Sequence, residues 1–148
     1  MAWLFCINSF SQDKHLYKKI DSTKLYLQVY YPQQTDTNQT FPAMVFYFGG
    51  GWKDGKRFHF KNRAEYFSKR GIVCFLIDYR TESKNKTSPF ESLKDAKSAI
   101  RFIKANATDF CIDENKIIAS GGSAGGHLAA ATALIDAYNE KTDDVSIS

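Results

Sequence analysis

Proline and cysteine are scarce in this 148-residue chain, at three residues each. Cys6, Cys74 and Cys111 lie far apart, are odd in number and show neither a C-x-x-C nor a metal-ligand spacing, so no metal site is expected and cysteine says little about the compartment. Internal repeats are missing. No stretch comes near the roughly 18 consecutive apolar residues of a membrane span. Charge of one sign is also lacking: 20 Lys and Arg face 16 Asp and Glu, for a net charge of +4. Much of that excess falls between Lys53 and Arg70, where seven basic residues face only Asp54 and Glu65. No basic stripe alternates with aromatics and no helix-turn-helix or two-finger signature occurs. The patch therefore reads as a solvated basic face, with no nucleic acid among the expected partners. Histidine is limited to His15, His59 and His127.

What is present is a globular composition, 43% hydrophobic and 15% aromatic, with enough length for one domain with a core. The start, "MAWLFCINSFSQ", is apolar and then polar, like the tail of a secretory signal peptide, but has no basic leading region. Residues 1–20 are read as an N-terminal segment and candidate signal-peptide remnant, which leaves the location open between cytoplasm and export. The domain is expected over 21–148.

Within it, "TKLYLQVYYP" alternates Leu25, Leu27 and Val29 with Tyr26, Gln28 and Tyr30, the pattern of a half-exposed strand. "FPAMVFYFGG" and "IVCFLID" are continuous apolar runs, as in strands buried on both faces; Cys74 in the second reads as a small buried hydrophobe. A helix is expected from about Phe58 to Arg70, stopped by Gly71. A second begins at Ser88-Pro89 with Leu93, Ala96, Ile100 and Ile103 on one face. "KIIAS" (116–120) is a short strand, and a last helix is expected from Ala124 to about Tyr138. Helical crossovers between buried strands imply a mostly parallel sheet covered on both faces, an α/β class fold.

Glycine is sparse but concentrated: three stand at 49–51 and four within 121–126. Gly121, Ser123 and Gly125 spell G-x-S-x-G between an expected strand and an expected helix. A turn this tight pushes the Ser123 hydroxyl out at the carboxyl end of the sheet, where open α/β sheets bind ligands. Gly121, Gly122 and Gly125 keep it free of colliding side chains. The Ala124 amide, at the positive end of the helix, is placed to donate to an oxygen that becomes negative when Ser123 attacks a carbonyl. "FYFGGGW" also follows a buried strand; Gly50 and Gly51 are the candidate further donors, Gly49 shapes the turn, and Trp52 is a candidate pocket wall or loop-packing residue. A phosphate nest is the competing reading of the first glycines, but no G-x-x-x-x-G-K-[ST] occurs and G-x-G-x-x-G does not fit there. No cofactor is expected.

The stretches "VFYFGGGW", "GIVCFLIDYR", "DAKSAIRFIKANA" and "KIIASGGSAGGHLAAA" together resemble the α/β-hydrolase superfamily over roughly residues 23–140. More narrowly they resemble its hormone-sensitive-lipase-like branch and the neighbouring acetylesterase and acetylxylan-esterase-like carbohydrate esterases. The resemblance implies a three-layer α/β-hydrolase sandwich, Ser123 as nucleophile, Gly50, Gly51 and Ala124 as oxyanion donors, and a structural Asp78-Tyr79-Arg80 segment. It also implies hydrolysis of short acyl esters, acetyl esters of carbohydrates included. Much of the branch has His-Gly-Gly-Gly, whose histidine organises the loop; Phe48 stands there in this chain.

A serine nucleophile needs a histidine held by a carboxylate, in the chain order Ser, Asp/Glu, His. After Ser123 the only histidine is His127, one turn along the helix wall, which reads as structural. His15 is expected to be exposed ahead of the sheet and His59 to lie at the surface or pocket rim. Asp136, Glu140, Asp143 and Asp144 fall in or just after the last helix rather than after a later strand. The chain therefore reads as the amino-terminal half of a longer esterase, truncated after the nucleophile-bearing helix, with little turnover alone. A non-catalytic binding fragment, a serine peptidase and a thioesterase are the competing readings. Oligomeric state is left open.

Overall fold

A computed structural model describes residues 13–33 and 39–147. Most of the candidate signal-peptide remnant, with Cys6, lies outside these residues. The elements run β1 (Lys14–Ile20), β2 (Thr23–Tyr30), β3 (Phe41–Tyr47), a 3-10 turn (Arg57–Phe60), α1 (Lys61–Ser68), β4 (Val73–Ile77), α2 (Glu82–Asn85), α3 (Pro89–Ala105), β5 (Ile112–Gly121) and α4 (Ala124–Leu134). The strands form one sheet in the order β1-β2-β4-β3-β5. β4, β3 and β5 are parallel, while β1 pairs antiparallel with β2 and β2 antiparallel with β4.

Helices cover both faces, giving three layers. Ala43, Val45 and Tyr47 of β3 and Val73, Phe75 and Ile77 of β4 face one way, into a core closed by α3 and α4. Phe46, Cys74 and Leu76 face the other way, against Phe60 and Ala64 at the start of α1. This two-sided burial explains why both strands read as unbroken apolar runs. Each fully buried side chain of this size contributes about 1.5–3 kcal/mol relative to exposure. Burial pushes the Cys74 thiol up to about 12, so it remains a neutral core group. Cys111 is disulfide-bonded, which its spacing in the sequence does not disclose. Among the described residues no helix is long and apolar enough to cross a membrane.

Several elements depart from the sequence pattern. The segment Lys14–Ile20 is a strand of the sheet, joined to β2 by a two-residue turn, so a domain boundary at residue 20 would cut a hairpin. Its mixture of Lys and apolar residues hides the strand because Lys18 is itself buried, paired with Asp95. His15 is accordingly not an exposed leader residue: it sits in β1, its ring edge-on to Phe110 at 5.1 Å. β2 is buried on both faces toward its end, Gln28 and Tyr30 included, because β1 and β4 flank it and α1 packs on its second face. β5 starts at Ile112, earlier than the β-branched run implies.

α4 stops at Leu134, not near Tyr138. The Lys97 ammonium donates to the carbonyls of Ile135 and Ala137 at 2.5 and 2.8 Å. Ile135 is extended, so these carbonyls answer to a side chain instead of a further helical turn. α3 begins where the sequence places it. Ser88 and Glu91 form a reciprocal capping box ahead of Pro89, worth about 1 kcal/mol.

Candidate active site

Strand register brings three loops to one edge of the sheet. Tyr47, the last residue of β3, is level with Ile77 at the end of β4 and with Gly121 at the end of β5. The segments 48–52, 78–80 and 122–124 therefore leave the sheet side by side.

Ser123 occupies the sharpest point of the strand-to-helix turn, at φ 53° and ψ −122°. A non-glycine residue in such a conformation stores about 1–3 kcal/mol of strain. The side chain does not cap the helix it precedes, and the residue is exposed. The turn is tight enough to exclude side chains around it. A β-carbon on Gly121 would lie within 2.6 Å of the Tyr47 carbonyl oxygen and would also strike the Gly125 backbone. One on Gly125 would lie 2.5 Å from the Phe48 carbonyl oxygen and collide with that of Tyr47. Gly122 faces the ring of Phe60.

The triple-glycine loop touches this turn. A β-carbon on Gly49 would sit 2.8 Å from the Gly122 carbonyl oxygen and 3.6 Å from the Ser123 β-carbon. Gly50 and Gly51 adopt φ of 133° and 62°, conformations that L side chains disfavour. The Gly50 carbonyl accepts from the Lys53 and Asp54 amides, closing the loop on itself. Gly50, Gly51 and Ala124 donate no backbone hydrogen bond among the described residues, so three amides at two adjoining strand ends are free to serve a ligand oxygen.

Trp52 follows at φ 59° and is half-buried. Its ring meets the edge of His127, the centroids 5.6 Å apart, and its carbonyl accepts from Glu82 of α2. His127 is exposed on the first full turn of α4, its amide bonded to the Ser123 carbonyl. Its ring contact with Trp52 joins the loop to the helix. His59 stacks on Phe60 at 4.9 Å, and through Phe60 stands near Gly122, in keeping with a rim position.

Phe48 is buried and lies flat against Tyr79, ring centroids 3.9 Å apart and planes 10° apart. The Tyr79 hydroxyl donates to the Phe48 carbonyl at 2.6 Å. Gly55 leaves room for the Phe48 ring, which any β-carbon there would strike. Neither Tyr79 nor Gly55 stands out as a site residue in the sequence. Tyr79, two residues past a strand parallel to β3, carries the only signal.

Asp78, Asp95, Glu140, Asp143 and Asp144 are engaged in structural contacts, whereas the Asp136 side chain makes no hydrogen bond or ion pair among the described residues. Asp78 accepts from Arg57 at 2.6 Å, anchoring the 3-10 turn. Asp95 is fully buried and takes two bonds from the Arg80 guanidinium and one from Lys18. Glu140 bridges the same two cations. Burial works against the charge on Glu140, but the Lys18 hydrogen bond and the charges of Lys18 and Arg80 win, holding its carboxyl below the usual range. Asp143 pairs with Arg101 and Ser98, and Asp144 caps Ser146. Nearly all of the basic residues between Lys53 and Arg70 are exposed.

The chain's sequence and fold are similar to those of known esterases. The chain is 35% identical over 97 residues to the esterase LipC of Mycobacterium tuberculosis, covering 63% of this chain and 23% of that protein. It is 31% identical over 120 residues to the isoprenylcysteine alpha-carbonyl methylesterase ICME of Arabidopsis thaliana, covering 81% of this chain and 27% of that protein. Among solved structures, the propionate-bound esterase Est2 of the planctomycete Thermogutta terrifontis superposes with a TM-score of 0.89 at 40% identity, over 93% of this chain and 50% of Est2. The same esterase phosphonylated by cyclosarin superposes equally well, at 39% identity. The chain thus spans about a quarter of the length of the curated relatives it matches and about half that of the solved esterase. The BD-FAE family model matches residues 27–147, and with the sheet order, the elbow at Ser123 and the esterase relatives in view, the chain belongs to the BD-FAE family, of the α/β-hydrolase type.

Proposed function

We propose that this chain carries the nucleophile and oxyanion donors of a serine ester hydrolase acting on short-chain acyl esters. The observation that carries this reading is the exposed Ser123 at φ 53°, beside a glycine loop with free amides. In this mechanism the Ser123 oxygen attacks the ester carbonyl as its proton passes to a base. The carbonyl oxygen becomes an oxyanion and takes hydrogen bonds from Gly50, Gly51 and Ala124, each donor worth on the order of 3 kcal/mol in a comparable protease. Collapse breaks the ester C–O bond and releases the alcohol with a proton. Water then attacks the acyl-enzyme and returns the acid and free serine.

No base is assigned within the chain. His127 packs on Trp52, His59 on Phe60 and His15 on Phe110, and Glu140 and Asp143 are committed to cations. The reading therefore requires a histidine and a carboxylate from outside Met1–Ser148, and little turnover from these residues alone. The propionate bound by Est2 supports a short acyl group; an acetylated carbohydrate is the proposed natural substrate class.

The test is labelling by a fluorophosphonate probe and hydrolysis of p-nitrophenyl acetate and acetylated xylan, using the natural full-length protein that carries this chain. Expected are labelling and turnover, both abolished by Ser123→Ala. Labelling that persists in that variant, or none in the wild type, overturns the reading. Turnover of p-nitrophenyl acetate without acetylated xylan leaves the esterase and removes the carbohydrate.

A further inference from the structure

We propose that Tyr79 is a positioning residue that sets the orientation of the donor loop, an inference that rests on reading Gly50 and Gly51 as oxyanion donors. Glycines at φ 133° and 62° let the loop adopt its shape but also leave it many others. Something outside the loop must select one. Among the described residues, the side chain that grips the loop's root from a neighbouring strand end in two ways is Tyr79. Its ring stacks flat on Phe48 and its hydroxyl donates to the Phe48 carbonyl.

That carbonyl is a junction. It belongs to the peptide plane that leads into Gly49, and it lies so close to Gly125 that a β-carbon there would approach it to 2.5 Å. Fixing it fixes the loop's exit from β3 relative to the nucleophile turn. Register supports the geometry, since Ile77 and Tyr47 are level and the residue two beyond Ile77 can reach the one beyond Tyr47. Tyr79 is buried, and burial raises its hydroxyl well above its ordinary range, so it stays a protonated donor at any working pH.

The test compares wild type, Tyr79→Phe and Tyr79→Leu in the natural full-length protein. Tyr79→Phe keeps the stack and removes the hydrogen bond. It is expected to lower kcat for p-nitrophenyl acetate about tenfold with KM within twofold, since one buried hydrogen bond is lost. Exchange of the Lys53 and Asp54 amides, which donate to the Gly50 carbonyl, should quicken by a similar factor while α3 is unchanged. Tyr79→Leu loses both contacts and should go further in kcat and exchange. A fall in Tm with kcat unchanged well below it, or exchange of the Lys53 and Asp54 amides within twofold of wild type in both variants, overturns the proposal. If wild-type turnover survives Ser123→Ala, the esterase reading fails instead, and the exchange measurement alone then decides whether Tyr79 holds the loop.

Discussion

At the carboxyl edge of the sheet the loops meet backbone against backbone; along the inner flank of α3 the segments meet through buried charge. The Ser123 turn and the glycine loop fit because Gly49, Gly121 and Gly125 have no β-carbons, and the conformation of Ser123 is held under strain. On the α3 flank, Lys18 from β1, Arg80 from the loop after β4, Asp95 from α3 and Glu140 from the final segment converge in one network. The first region is specified by what is absent, and tolerates almost no added atom. The second is specified by partners, and tolerates no removal. One is the proposed site of chemistry, and the other holds the scaffold beneath it.

The sharpest way to break this comparison is Asp95→Ala. Asp95 is fully buried and its two cations are nearly so, so the variant leaves two charges in the interior with only Glu140 to answer them. Loss of about 3–5 kcal/mol is expected, the cost of stripping one member from a buried pair, read as a fall in the urea midpoint. A loss below about 1 kcal/mol would show that water or Glu140 takes over, and that charge does not hold this flank.

The other region is tested by adding one carbon. Gly125→Ala drives a β-carbon into the Tyr47 carbonyl and against that of Phe48, neither of which is a flexible side-chain tip. Destabilisation of about 3 kcal/mol is expected, with loss of probe labelling at Ser123. Gly126→Ala is the control: its nearest neighbour would be the Gly121 carbonyl oxygen at 3.3 Å, and alanine favours the helix by about 1 kcal/mol over glycine, so the net change should be small. Equal effects of the two substitutions would refute the claim that close backbone approach, rather than small size in general, dictates Gly125.

The same contrast explains what could be read in advance. The tight turn at Ser123 and the triple-glycine loop were legible because backbone constraint leaves a local mark: glycines bracket a serine between a strand and a helix, and a run of three ends a buried strand. The buried strands β3 and β4 and the Ser88 cap of α3 were legible for the same reason. Contacts between distant residues leave no such mark. β1 hides because Lys18 looks like a surface residue until Asp95, 77 positions away, is seen beside it. The early end of α4 depends on Lys97 reaching back to Ile135. Tyr79 matters through Phe48, which is 31 residues away. Long-range polar pairing, not weak propensity, is what single-sequence reading lacks here.

The smallest expected effect tests whether the charge network is graded by burial. Glu140 is more exposed than Asp95, so Glu140→Gln should cost about 1 kcal/mol at neutral pH, near the upper end for partly exposed pairs. Its folded carboxyl lies below the usual range, because Lys18 and Arg80 outweigh the opposing effect of burial. A lowered folded value means that the stabilisation is complete above the unfolded value of about 4.3 and is lost as pH falls through the folded one. The gap in urea midpoint between wild type and Glu140→Gln should therefore be constant from pH 7 to about 5 and close below about 4. A gap that persists undiminished below about pH 4 would mean that the protonated carboxyl still holds the final segment, and that hydrogen bonding rather than charge joins Glu140 to Lys18.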